Sequence, residues 1–176
     1  MIQIDKTDFL YKMLQKLGVD SEEIDNKYIE FASYGVTNIK DFNNYLLSAL
    51  EVVDDNAFDE ADLEEVADYY YDLKKVKKIP KTKFVAMLKE YKQTPTVELN
   101  EQLINSQLKD VLLIACQYKI THNDLNLSDL VQVGNLGLIT ALDKYNVDSK
   151  VAFETYLNYW VLDAINKEFT QGEKNG

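Results

Sequence analysis

Hydrophobic residues recur three and four positions apart along almost the whole chain, and no segment shows the strict alternation that is typical of a strand. This spacing predicts an all-α protein. Capping and breaking residues divide the pattern into separate helices, since Thr7 or Asp8 can begin the first and Gly18 ends it. The predicted helices cover about residues 7–17, 21–33, 39–54, 59–78, 83–91 and 97–118, then one that begins at Ser128, and 152–169.

The segment LSDLVQVGNLGLITALDKYN, residues 127–146, has two distinct faces at about 100° per residue. One face is apolar, includes Gly134 as a point of close contact and predicts burial; it consists of Leu127, Val131, Gly134, Leu138, Ala141, Leu142 and Tyr145. The other mixes aliphatic and polar side chains: Asp129, Gln132, Val133, Leu136, Ile139, Thr140 and Asp143. This mixed face is typical of a protein-docking surface, although scattered exposed aliphatic residues would look the same.

The last predicted helix also has two parts. Phe153, Leu157, Trp160, Val161 and Ala164 share one face and predict core packing. On its shoulder lie the side chains of Tyr156, Tyr159 and Asp163. Aromatic residues in this position are either the edge of the core or a platform on which unpaired bases stack.

Charge is distributed unevenly along the chain. Residues 1–73 carry 5 Lys against 18 Asp and Glu, residues 74–100 carry 8 against 2, and residues 101–176 carry 6 against 10, within a net charge of −11. We therefore predict an acidic helical module at 1–73, a basic hinge at 74–83 and a C-terminal helical domain at 84–176. The acidic module is either a solvated surface or a mimic of DNA for a basic groove.

The composition also argues against several classes of protein. All 19 basic residues are lysine, so any nucleic-acid contact must use lysine and aromatic side chains. The single cysteine, Cys116, lies in the apolar run VLLIACQY and is expected to be a buried thiol, and the single histidine, His122, lies in a predicted loop. We expect no catalysis, no metal and no cofactor. With neither an export signal nor an apolar run of bilayer length, the expectation is a cytoplasmic protein without a membrane partner.

Three segments in order, QLINSQLKDVLLIACQYK, SDLVQVGNLGLITALDKYN and VAFETYLNYWVLDAI, resemble the second region of bacterial sigma factors of the primary type. The preceding VAMLKEYKQTPTVELNEQ is similar to the helix that leads into that region. The pattern DLxQxGNxGL followed by FxTYxxxW is long and ordered. The resemblance implies a helical bundle that binds core RNA polymerase and promoter DNA.

In that family, the first helix of the motif docks on the coiled coil of the polymerase's largest catalytic subunit. The resemblance assigns polymerase contacts to Asp129, Gln132 and Asn135, with Ile139 at a hydrophobic contact. We also predict that Leu136 contacts the polymerase, because it lies on the mixed face. Val133 is likewise a predicted polymerase contact, although the family usually has glutamate at this position.

The following helix of the family holds the non-template single strand of the minus-ten element. The DNA-binding residues that the resemblance implies are Lys150, Phe153, Thr155, Tyr156, Tyr159, Trp160 and Asp163. This side departs from the family pattern, because Lys150 is the only basic residue before the aromatics, tyrosine replaces tryptophan at 159, and Leu162 and Asp163 replace an arginine and a glutamine. A carboxylate at 163 repels phosphate.

Two functions are consistent with these residues, besides the alternative that the chain is an unrelated helical bundle whose motif match is accidental. The preferred one is a sigma-like initiation factor that binds core polymerase and melts a minus-ten-type element, with a second protein supplying the upstream recognition that the later sigma domains provide. The alternative is a sigma-like docking protein that inhibits or redirects the host sigma with little DNA binding. The acidic module resembles the N-terminal domain of primary sigma factors only in charge and helix content.

Overall fold

The computed structural model describes residues 1–48 and 60–175. Within these ranges the chain contains helices and no strand, which confirms the all-α prediction. The helices are α1 (Phe9–Lys16), α2 (Ile24–Ser33), α3 (Ile39–Ser48), α4 (Glu60–Lys74), α5 (Lys81–Gln93), α6 (Val97–Asn105), α7 (Leu108–Thr121), α8 (Leu127–Lys144) and α9 (Phe153–Asn175). The predicted helical residues 49–54 and 59 lie outside the described part of the chain.

Side-chain caps begin several of these helices. The Asp8 carboxylate accepts a hydrogen bond from the Tyr11 amide at the start of α1, and the Thr96 hydroxyl accepts one from the Leu99 amide at the start of α6. Gly18 follows α1 with φ +80°, as expected of a glycine that ends a helix. The cap predicted at Ser128 was wrong, since α8 is capped by Asn126, whose amide oxygen accepts from the Asp129 amide at 3.2 Å.

The single helix predicted over 97–118 was also wrong, because a turn at residues 106 and 107 divides it into α6 and α7. At this turn the Ser106 hydroxyl donates to the Leu103 carbonyl at 2.7 Å. A serine that bonds to the nearby backbone competes with regular helix geometry. α7 then runs three residues further than expected, to Thr121.

Glycines set the close crossing of α8 and α9. A Cβ atom on Gly137 would lie 2.5 Å from the Trp160 carbonyl oxygen, and one on Gly134 would lie 2.9 Å from a Val111 methyl group on α7. The obstacle at Gly137 is backbone, which cannot rotate away. The sequence identified Gly134 as a contact point, whereas the tighter of the two contacts is at Gly137.

A single hydrophobic core connects α1 to α9. Every residue of the apolar face predicted for α8 is buried, which confirms that face. α4 and α5 are joined by residues 75–80, which lie within the basic segment. Cys116 is half-buried rather than fully buried. In the described ranges, no helix combines the length and the apolar character that a membrane span requires.

Candidate functional site

The mixed face of α8 is open to solvent at its centre. Leu136 keeps 62 % and Ile139 52 % of their surface exposed, and Asp129 and Gln132 are exposed beside them. All four were predicted to contact polymerase. Two exposed aliphatic side chains, four and seven residues beyond Gln132, form an apolar stripe with polar neighbours, which is the composition of a protein-binding surface.

The remaining two predicted docking residues are less accessible. Val133 and Asn135 are half-buried, and Val133 packs against the core. The Asn135 amide oxygen is buried and has no hydrogen-bond partner within the described residues. A partner that docks on α8 therefore meets Asp129, Gln132, Leu136 and Ile139 first.

Beside Ile139 the docking face continues into a half-open cavity of about 380 Å³ between α5, α6 and α8. Lys92 lines this cavity, and its ammonium group donates to the Asp143 carbonyl at 3.1 Å and to the Tyr145 carbonyl at 2.5 Å. Burial lowers the pKa of Lys92. The end of α5 is thus attached to the end of α8.

The predicted DNA-binding face of α9 is covered. Six of its seven residues are buried, and only Lys150, which precedes the helix, is exposed; the buried residues are Phe153, Thr155, Tyr156, Tyr159, Trp160 and Asp163. Tyr156 has no exposed surface and Tyr159 keeps 2 %. Phe153 packs against Phe84 of α5, whereas the other five contact α1, α2 and α3, which lie across the shoulder of α9 and form what we call the N-terminal cover.

The end of α1 holds the polar atoms of two of these aromatic residues. The Tyr156 hydroxyl donates to the Lys16 carbonyl, and the Trp160 indole N–H donates to the Leu17 carbonyl at 2.9 Å. Lys144, at the end of α8, donates to the next carbonyl, that of Gly18, at 2.6 Å. The last carbonyls of a helix have no partner within it and carry partial negative charge, so Tyr156 and Trp160 stabilise the end of α1, and Lys144 holds the residue that follows its cap.

An aromatic layer forms the second part of this contact. The rings of Phe31 on α2 and Phe42 on α3 stack 4.8 Å apart, and the Tyr159 ring lies 6.4 Å from each of them. Burial, with help from the nearby Asp163 carboxylate, raises the pKa of the Tyr159 hydroxyl. Tyr159 lies in this aromatic layer with 2 % of its surface exposed, which leaves little of its ring open to a base.

Charged groups form the third part. The Asp163 side chain, only 6 % exposed, lies 3.3 Å from the Lys27 ammonium on α2 and 3.1 Å from that of Lys167. Lys167 also reaches Glu23 at 3.0 Å. Burial of the Lys167 ammonium group tends to lower its pKa, but the hydrogen bonds to Glu23 and Asp163 outweigh this effect and raise the pKa of Lys167. A carboxylate that would repel DNA phosphates thus joins α9 to the N-terminal cover.

The sequence did not identify the partners in this contact. The carbonyls of residues 16–18 leave no sequence signature, and Lys27 is one of five lysines in an acidic segment. One signal was available: apolar residues occur on every side of α9 between residues 153 and 165. A helix that is apolar all round is expected to be buried on all sides.

Comparison with known proteins identifies the segment that carries this site. Residues 103–174 match the Sigma-70 region 2 family. The chloroplastic RNA polymerase sigma factor sigF of Arabidopsis thaliana is 35 % identical over 74 residues, which cover 42 % of this chain and 13 % of that protein. Two further RNA polymerase sigma factors, RpoD of Neisseria gonorrhoeae and SigA of Microcystis aeruginosa, are each 36 % identical over 67 residues, or 38 % of this chain. These residues cover 10 % of RpoD and 16 % of SigA.

The matched segment thus spans only about a tenth to a sixth of the length of these relatives. It includes all of α7 and α8 and nearly all of α9, and therefore both the open face of α8 and the covered face of α9. This chain contains a sigma-70 region 2.

Proposed function

We propose that this chain is a sigma-like protein that binds core RNA polymerase through the open face of α8 while the N-terminal cover occupies the DNA side of α9. The partner surface is the coiled coil of the polymerase's largest catalytic subunit, and its contacts are Asp129, Gln132, Leu136 and Ile139. In this function the protein takes the place of the host sigma, and it inhibits or redirects transcription without catalysis of its own.

The observation that carries the proposal is the opposite accessibility of the two faces. Leu136 and Ile139 are more than half exposed, whereas Tyr156 and Tyr159 are almost completely enclosed. The two departures from the sigma pattern at Tyr159 and Asp163 support it further, because both side chains contact α2. These residues suit attachment of the N-terminal cover better than they suit a DNA strand.

The initiation factor remains a second candidate, and the retained aromatic set at residues 153, 156 and 160 favours it. For Tyr156 and Trp160 to meet a flipped base, α1 must first leave α9 and give up both hydrogen bonds to its carbonyls. Promoter melting therefore requires the N-terminal cover to open on the polymerase. Lys150, which is exposed, would then be the first basic residue to meet the strand.

A base-analogue assay separates the two functions. The protein is mixed with core polymerase and a promoter template that carries 2-aminopurine at the adenine expected to flip, with the host's primary sigma as positive control. We expect the chain to compete with the host sigma for core enzyme and to give no rise in fluorescence, because the side chains that hold a flipped base are covered. A rise comparable to that of the host sigma would establish the initiation factor instead.

A further inference from the structure

A dense lysine surface lies outside the segment that matches the sigma family. It comprises six lysines between the end of α4 and the start of α5: Lys74, Lys75, Lys77, Lys78, Lys81 and Lys83. All six side chains are exposed, and residues 73–89 include no acidic residue. In a chain with a net charge of −11, such a surface requires an explanation other than solubility.

Two aromatic rings lie beside the first of these lysines. Lys74 lies over Tyr70 and Tyr71, with its ammonium nitrogen 4.8 Å and 5.5 Å from the two ring centroids, and Lys109 of α7 approaches Tyr70 at 6.0 Å. Tyr71 keeps 64 % of its surface exposed. An exposed aromatic ring beside an ammonium group, next to further lysines along the chain, is a combination that binds single-stranded nucleic acid, because phosphates meet the charges and bases stack on the ring.

Two contacts place the lysine surface beside the start of α9. Phe84 on α5 packs against Phe153 with the ring centroids 4.8 Å apart, and Lys81 lies 4.0 Å from Glu154. The Lys81–Glu154 pair is exposed on both sides and contributes little to stability, so Lys81 can exchange this partner for a phosphate. The lysine surface therefore reaches the start of α9.

We propose that the lysine surface, together with Tyr71, binds a single strand of DNA. Lysine provides compact point charges for phosphate, and this chain has no arginine to provide the planar alternative. The inference goes beyond the docking function, because it gives the protein a DNA contact that does not need α9 to be uncovered. It requires neither polymerase nor opening of the N-terminal cover.

The test measures binding of the full-length protein to fluorescently labelled oligo(dT) by anisotropy over a series of salt concentrations, without polymerase. Replacing Lys75, Lys77 and Lys78 by glutamine is expected to weaken binding roughly tenfold at low salt. The slope of log affinity against log salt should fall by about 2, since each phosphate contact on a single strand contributes about 0.7. Tyr71→Leu should weaken binding roughly fivefold or more and leave the slope unchanged.

The matched control replaces three exposed lysines of the acidic segment, Lys6, Lys12 and Lys16, by glutamine, which changes the net charge equally. We expect the affinity of this variant for oligo(dT) to fall by less than twofold. The proposal is overturned if both triple variants lose affinity equally, or if the Lys75, Lys77 and Lys78 variant binds as the wild type does. Tighter binding of a DNA hairpin duplex or of oligo(U) would overturn the assignment to single-stranded DNA.

Discussion

Replacing Leu136 by glutamate is expected to abolish capture of core RNA polymerase, with affinity falling at least about a hundredfold. Leu136 is 62 % exposed at the centre of the open face of α8, so the carboxylate is tolerated in the free protein. In the complex, the substitution removes a central apolar contact and leaves a charge without a partner, a combination that costs on the order of 3–5 kcal/mol at an interface. Pull-down or interferometry with purified core enzyme measures the loss.

Leu113→Glu provides the matched control for this experiment. Leu113 is a leucine on α7 that is 44 % exposed and is not one of the residues of the mixed face of α8. We expect both variants to keep the helicity and melting temperature of the wild type, because neither carboxylate enters the core. Full polymerase binding by a folded Leu136→Glu protein would contradict the docking face.

Replacing Lys27 by glutamate is expected to loosen the N-terminal cover and to destabilise the protein by about 3 kcal/mol. The new carboxylate would face Asp163, which is 6 % exposed and 3.3 Å from the lysine it loses. Breaking a buried ion pair costs about 3–5 kcal/mol, and we expect the lower end because Lys167 stays in contact with Asp163. Urea unfolding gives the stability, and the emission of Trp160, the one tryptophan of the chain, reports on the cover.

Two further variants make this result specific. Lys6→Glu changes the net charge equally at an exposed position and should alter stability by no more than about 0.5 kcal/mol. Adding Asp163→Asn to Lys27→Glu removes the repelling carboxylate and should recover much of the loss. If Lys27→Glu and Lys6→Glu were equally stable and had the same Trp160 emission, the charge contact between α2 and α9 would be unimportant.

The periodicity of the sequence predicted the buried face of α8 and its two most exposed aliphatic residues, but not its cap at Asn126 or the close contact at Gly137. Apolar residues recur three and four positions apart along this helix. This spacing alone predicts both the buried face, from Leu127 to Tyr145, and the exposed positions of Leu136 and Ile139. The boundary at Ser106 was missed because a side chain that bonds to its own backbone can interrupt an otherwise helical pattern.

The covered face of α9 could not be predicted in the same way. Its partners are distant in sequence: Tyr156 bonds to the carbonyl of residue 16, and Trp160 to that of residue 17. A helical wheel shows which side chains share a face, but it does not show which segment packs there. The backbone carbonyls that accept these hydrogen bonds are present in every residue, so no residue type reveals them.

The departures from the sigma pattern acquire a physical explanation in this fold. Tyr159 fits against Phe31 and Phe42, and Asp163 lies between two lysines. On a DNA-binding face the Asp163 carboxylate would repel phosphate, whereas in this internal contact it pairs with Lys27 and Lys167. The departures from the sigma pattern at Tyr159 and Asp163 therefore occur where α9 packs against the N-terminal cover.

Hydrogen exchange measured by mass spectrometry, on the full chain with and without core polymerase, tests the central claim most directly. We predict that polymerase slows exchange in residues 127–144 of α8 and leaves exchange in residues 9–17, 24–33 and 153–165 unchanged, because docking uses the open face and the N-terminal cover stays in place. Faster exchange in residues 9–17 and 24–33 on polymerase binding, or no protection of α8, would contradict the claim.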